Sequence, residues 1–338
     1  MLKAAIRCDA SPELGFGHAT RCLVLARELR SRGVDVVFVS RDYEHVSKVV
    51  DRDGFETVGI PTTASESDEV VLLSETCDLA VVDLLMPSES YQKALRCAGM
   101  PSAIVDGSRR TPCHGRWLLD PKPIPDPDHF ERLLRRRPET EYLGGPRFAL
   151  YQGGDPPVGA PQEDRVLLSM GGGDDRGSIT AVVEILDRWE RPLEVVIQTS
   201  SANPGLMEAR ETLKQPTRHH FELVLDRPLI NDAAARSWCS ILAGGVSCYE
   251  LLSMGVPLIL MAISDNQEPA GRAWQELEVA HYVGRYPLED KSRLFDALRD
   301  LSRPGEREMR SRKARALCDG LGVERVADRL LAELGDCA

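Results

Sequence analysis

Aromatic residues are scarce in this chain, at 5%. Basic residues are outnumbered, 42 Lys and Arg against 53 Asp and Glu, for a net charge of −11. That balance excludes the electrostatic footprint of a nucleic-acid-binding protein. The one short basic run, Arg135-Arg136-Arg137, reads as a solvated linker face. No apolar run approaches the roughly 20 residues that span a bilayer. The nine cysteines are an odd number, without a C-x-x-C pair or a Cys/His cluster. This argues against a disulfide framework and a zinc site, and for reduced thiols in a cytoplasmic protein. The first residues run straight into a strand pattern, so no signal peptide is expected.

What is present is glycine turns between apolar runs, in a chain of 338 residues that has room for two domains of ordinary size. Lys3 to Cys8 reads as a buried strand. A loop from Asp9 to His18 follows, with Gly15 and Gly17. Ala19 to Arg32 is an amphipathic helix with Cys22, Leu25, Ala26 and Leu29 on one face. Gly33 ends it at the C′ position, and Val34 to Val39 is the next strand. A βαβ opening of this kind predicts a parallel sheet. Further strands are expected at Leu79 to Asp83, Ser102 to Asp106 and Trp117 to Leu119, with helices at Glu66 to Glu75 and Ser88 to Cys97. Gly/Pro density between Tyr142 and Arg165 marks a domain boundary and a hinge. The rhythm then restarts with a strand at Val166 to Met170 and the turn Gly171-Gly172-Gly173-Asp174-Asp175. A helix from Ser178 to Trp189 comes next, then strands at Leu193 to Thr199 and Phe221 to Leu225. A helix is expected at Asn231 to Trp238, and the last sixty residues read as helical, with Leu330, Leu331 and Leu334 as an apolar edge. The predicted division is 1–145, 146–320, and a C-terminal helix at 321–338 that packs back toward the first domain.

A third glycine turn, Gly244-Gly245, lies between the apolar runs Ser240 to Ala243 and Val256 to Ala262. A helix starting at Ser247 would aim its free N–H groups and its dipole at the space above the turn, which suits a diphosphate. Glu250, one turn on, is placed to accept two ribose hydroxyls. Ser247-x-x-Glu250 is also a capping-box pattern, in which Glu250 only bonds the backbone of Ser247. In the first half, His18 falls in the first turn of a helix. There the dipole disfavours the imidazolium and leaves a ring that accepts a proton. A helix-start histidine bonded to backbone is the alternative. Asp83 and Asp106 each end a strand, where open α/β sheets bind ligands, and Asp9 opens the loop after the first strand. Strand-end aspartates also serve as turn and capping residues. After the strand Val256 to Ala262, Asp265 or Asn266 is a natural N-cap for a helix reaching Glu278.

The combined pattern is more specific than any one turn. Arg7-x-Asp9, Gly15-x-Gly17-His18 and Arg21-Cys22-Leu23 resemble the start of a GT-B-type family. The likeness continues in Leu168 to Asp174, Ala243-Gly244-Gly245 through Glu250-Leu251-Leu252, Gly255-Val256-Pro257 and Asp265-Asn266-Gln267. That family is the UDP-2,4-diacetamido-2,4,6-trideoxy-β-L-altropyranose hydrolases of the pseudaminic acid pathway, with the related spore-coat polysaccharide proteins. The resemblance implies two Rossmann-like domains with parallel sheets facing across a cleft. It implies a UDP-sugar substrate opened at the anomeric carbon with release of UDP, either to water or to a small-molecule acceptor. Gly172, Gly173, Gly244, Gly245 and Ser247 would meet the diphosphate and Glu250 the ribose. His18 would be the general base, with Asp83 and Asn266 in the catalytic set and Gly17, Arg21 and Gln267 against the substrate. No metal or cofactor is implied. Two departures stand on the acceptor side: Leu84-Leu85-Met86-Pro87 replaces a His-Tyr pair, and Asp106-Gly107 a double aspartate.

Overall fold

The computed structural model describes residues 2–11, 13–41, 43–106, 110–134, 139–154, 162–226 and 230–335. Arg135-Arg136-Arg137, Gly107 and residues 155–161 of the Gly/Pro segment lie outside them. The chain forms two units, 1–152 with 321–338, and 153–320.

The first unit alternates strand and helix. It contains β1 (Lys3–Cys8), α1 (Gly17–Ser31), β2 (Asp35–Ser40), α2 (Tyr43–Val50), β3 (Glu56–Gly59), α3 (Glu66–Thr76) and β4 (Leu79–Asp83). It continues through α4 (Glu89–Cys97), β5 (Ser102–Val105), β6 (Trp117–Asp120), α5 (Pro127–Leu134) and β7 (Glu141–Gly144). The sheet is parallel in the order β3-β2-β1-β4-β5-β6-β7. Its central strands β1 and β4 are buried along almost their whole length, the charged Arg7 and Asp83 included, because helices cover both faces. One face packs Ile6, Phe38, Val81 and Trp117 against the buried stripe of α1, which includes Cys22, Leu25 and Leu29. The other packs Ala5, Val39, Val82 and Leu118 against α3 and α4. The start of α3 is set by a capping box: Ser65 Oγ accepts from the Asp68 amide at 3.2 Å, and the Ser65 amide donates to Asp68 Oδ2 at 2.8 Å.

The second unit runs β8 (Gln162–Ser169), α6 (Ser178–Leu186), β9 (Glu194–Thr199), α7 (Leu206–Thr212), β10 (His220–Leu225), α8 (Asn231–Arg236) and β11 (Ser237–Leu242). It continues with α9 (Ser247–Met254), β12 (Leu258–Ala262), α10 (Glu268–Glu276), β13 (Ala280–Arg285), α11 (Ser292–Leu301) and α12 (Pro304–Leu317). Its sheet is also parallel, in the order β10-β9-β8-β11-β12-β13. The chain then returns to the first unit as α13 (Gly322–Gly335), whose Val326, Ala327 and Leu330 are fully buried in the core beside α1.

Several elements differ from the sequence reading. Trp238 ends no helix: α8 stops at Arg236, and Ser237 to Leu242 is a buried strand. The last sixty residues are not all helical, since β13 pairs with β12 at the sheet edge. Neither Asp265 nor Asn266 caps α10. Its N-cap is Gln267, whose side chain makes no capping bond to the helix, and a proline stands in the first turn. Residues 146–152 belong to the first unit, where Phe148 and Leu150 join the core.

Candidate functional site

In each sheet the chain works outward from one central strand and then returns to its other side. The reversal falls between β1 and β4 in the first unit and between β8 and β11 in the second. Loops leaving the carboxyl ends of two such strands diverge, and the crevice between them is where open α/β sheets hold ligands. Both sets of candidate residues lie at these two points.

In the first unit the register places Cys8 beside Asp83. The loop after β1 leads to His18, the second residue of α1, while Asp83 ends β4. His18 Nδ1 lies 2.7 Å from Asp83 Oδ1. Asp83 is fully buried and also accepts from Arg21 Nε and Arg21 Nη2, each at 2.5 Å, and from the Cys22 thiol at 3.4 Å. Burial opposes ionisation of this carboxyl, but Arg21 and His18 outweigh it and hold the group well below the usual carboxylate range. His18 Nδ1 also lies 3.2 Å from Arg21 Nη2. A neutral ring with its proton on Nδ1 donates it to the ionised Asp83 and carries its lone pair on Nε2. The structure therefore brings His18, Arg21 and Asp83 into one cluster and gives His18 a carboxylate partner, in place of the backbone partner weighed from sequence. Gly17 precedes it with open space where a Cβ would stand.

Beside this cluster is a buried charge network that the sequence reading missed. Arg7 is 2% exposed and donates to Asp9 Oδ1 at 2.6 Å and Glu69 Oε1 at 2.5 Å. Glu69 also accepts from Arg41 at 2.7 Å and Tyr91 at 3.2 Å. Asp9 accepts from Ser40 Oγ and the Arg41 amide, both at 2.9 Å. The only sequence signal for it is that Glu69 shares the buried stripe of α3 with Val70 and Leu73. Asp106 is 3% exposed just beyond β5 and has partners of its own.

In the second unit the turns after β8 and β11 are neighbours, tied by the Ala243 amide donating to Ser169 O at 3.2 Å. Gly171 has φ +91°, a backbone that disfavours a side chain. Gly172 and Gly173 follow, and the amides of neither donate within the described residues. The same holds for Val246 and Ser247, at the start of α9. The two glycines of the third turn differ. A Cβ on Gly244 would stand 3.1 Å from the carbonyl oxygen of Gln267, so its bareness admits the protein's own loop. A Cβ on Gly245 meets nothing within 4 Å. The Gln267 side chain accepts from the Ile263 amide at 2.9 Å, which pins that loop. Asn266 is exposed and accepts from Ser264 Oγ at 2.5 Å.

The capping-box alternative does not form. Ser247 is the first helical residue, the N-cap is Val246, and no side chain caps the helix. Glu250 is half-buried without a hydrogen-bond partner for its carboxyl among the described residues, and desolvation pushes that carboxyl up to about 7. Glu250 thus stands one turn into α9, the helix whose opening amides, those of Val246 and Ser247, have no acceptor among the described residues.

Two parallel-sheet Rossmann-like units with these switch points define the GT-B class, and comparison with known proteins agrees. The chain is similar over 98% of its length to MurG of Acinetobacter baumannii, with a TM-score of 0.72, 12% identity and all of that chain covered. It is similar to the calicheamicin glycosyltransferase CalG4 with a TM-score of 0.66 and 16% identity, covering 99% and 98% of the two chains. Spore coat polysaccharide biosynthesis protein SpsG of Bacillus subtilis is 22% identical across 96% of both chains. The uncharacterized protein MJ1062 of Methanocaldococcus jannaschii is 21% identical over 79% of this chain, which spans 57% of that protein's length. No protein-family profile matches.

Proposed function

We propose that the protein is a UDP-sugar-processing enzyme that cleaves the anomeric carbon–oxygen bond and releases UDP. The second unit binds the nucleotide. The amides of Gly172, Gly173 and Ser247 and the open face of Gly245 take the diphosphate, and Glu250 takes the ribose hydroxyls. Asn266 and Gln267 lie on the sugar. In the first unit His18 is the general base, with Asp83 holding its tautomer. Nε2 removes the proton of a hydroxyl acceptor, the acceptor oxygen bonds to the anomeric carbon, and the sugar–phosphate bond breaks with its electron pair leaving on UDP. A single displacement of this kind inverts the anomeric centre. Amides and a helix end meet the charge of the leaving group, so UDP binding should be unaffected by a chelator.

The observation that carries this reading is the 2.7 Å contact between His18 Nδ1 and a buried aspartate, at a strand end of a GT-B sheet. Water is the acceptor in the family resembled; an alcohol in the same place makes the reaction a glycosyl transfer. Incubation with a panel of UDP-sugars, read as UDP release, is the test. Turnover in His18→Asn should fall by about two to four orders of magnitude with UDP affinity unchanged. Near-normal turnover in that variant removes His18 from the role.

A further inference from the structure

The turn after β8 runs through Gly171, Gly172 and Gly173 to Asp174 and Asp175. Glycine loses more conformational freedom on ordering than any other residue, so a turn of this composition is unfavourable to fix in one shape. The neighbouring strand β9 ends at Thr199, and the loop that follows it, Ser200 to Gly205, supplies contacts that fix the turn.

A chain of hydrogen bonds reaches both ends of the turn. At its start, Thr199 Oγ1 donates to the carbonyl oxygen of Gly171 at 3.3 Å. Thr199 Oγ1 in turn accepts from Asn203 Nδ2 at 3.1 Å. At the far end, Asn203 Oδ1 accepts from the Asp175 amide at 3.4 Å and from the Gly205 amide at 2.9 Å. Two backbone donors on one atom require that atom to be the oxygen, so the NH2 of Asn203 faces Thr199. Asp175 Oδ2 accepts from the Ile179 amide at 2.8 Å, which ties the turn to α6. Gly205 completes the fit, because a Cβ there would collide with Asp175 Oδ1. Thr199, Asn203 and Asp175 are all buried. The middle of the turn is left open: the amides of Gly172 and Gly173 have no acceptor among the described residues.

Stability alone does not call for this chain of polar groups. Replacing a buried hydrogen-bonded pair with apolar groups of the same shape can be nearly neutral. What the polar chain adds is direction, since each bond fixes one backbone group. We propose that Thr199 and Asn203 are positioning residues for the diphosphate: they clamp the first and last residues of the turn and hold the Gly172 and Gly173 amides in one arrangement before the ligand arrives. This rests on the function proposed above, in which those amides take the diphosphate. A ligand that meets an ordered turn does not have to order it, and the difference appears as affinity. Neither side chain has to touch the nucleotide. The clamp acts on groups that meet phosphate, so its loss should weaken UDP and spare uridine.

The test uses the full-length protein, with UDP and uridine as the probes. Thr199→Val removes the hydroxyl and keeps the shape of the side chain. In that variant UDP affinity should fall by about tenfold, on the order expected for losing one or two hydrogen bonds, while uridine affinity holds. Thr199→Ser restores the hydroxyl and should restore UDP binding. Asn203→Ala breaks both arms of the clamp and should lose more. Backbone amide relaxation, read by NMR without nucleotide, should find Gly172 and Gly173 more mobile in Thr199→Val than in the unmodified protein. Equal losses for UDP and uridine would mark a purely structural contact and overturn the proposal. Undiminished UDP affinity in Thr199→Val, no recovery in Thr199→Ser, or equally rigid glycine amides would overturn it too. The two readings fail differently. Absent UDP binding by the unmodified protein sinks the proposed function and this inference together. Normal UDP binding without the difference between UDP and uridine sinks this inference alone.

Discussion

Asp83 carries more contacts than any other candidate side chain, and its substitution should show it. As a fully buried anion it accepts from His18, Arg21 and Cys22. Asp83→Asn removes the carboxylate that pairs with Arg21 and His18, and breaking a buried pair typically costs about 3–5 kcal/mol. Denaturant unfolding should register that loss, and turnover should fall with it. The carboxyl is held below its unfolded value, so its stabilisation is present above the ordinary carboxylate pKa and is lost as pH falls toward the depressed one. Glu250 has the opposite sign. Its carboxyl is raised to about 7, so the folded state holds a proton that the unfolded chain has released above about 4.5. Stability should therefore decline as pH climbs between those values, and Glu250→Gln should flatten that decline. UDP affinity should run the other way, strengthening from pH 6 to 8 as the ribose acceptor ionises. Glu250→Ala should weaken it by about 1–3 kcal/mol in calorimetry. Unchanged affinity in a folded Glu250→Ala protein would remove Glu250 from the ribose role.

At the scale of elements, the two glycines of the third turn should separate structure from binding. Gly244→Ala forces the Gln267 carbonyl to give way by a few tenths of an ångström, so its melting temperature should drop. Gly245→Ala meets open space and should melt normally, while UDP affinity falls by about tenfold or more where the diphosphate needs that face. An undiminished affinity in Gly245→Ala would show that no ligand backs onto it. The same elements explain what was legible in the sequence. β1 and β4 were read to the residue because they are central strands built on the apolar runs Ala4 to Ile6 and Leu79 to Val82. β3, β7 and β13 were missed because these edge strands are only partly buried and mix Glu56, Glu141, His281 and Arg285 among their apolar residues. The glycine turns were visible as composition. The partnership of His18 with Asp83 was not, because 65 positions separate them and only the sheet order brings them together. The Arg7–Glu69 pair, 62 positions apart, was hidden for the same reason.

The whole chain is discontinuous in a specific way. The first unit is opened after Gln152 and completed only by residues 321–338, while 153–320 is continuous. A fragment of 153–320 should fold and bind UDP unaided, as judged by cooperative melting and calorimetry. Truncation after Gly320 should lower the stability of the first unit, because it strips Val326, Ala327 and Leu330 from the core that α1 shares. If the truncated protein melted like the full one, α13 would be ornamental. The two ends of the second unit also lie together: a Cβ on Gly153 would come within 3.0 Å of the Gly320 Cα. In topological terms the second unit is a guest spliced into a host at a single seam. A host whose ends meet at such a seam tolerates exchange. If the second unit binds the donor as proposed, grafting another guest between residues 152 and 321 should change the donor nucleotide and leave His18 in place.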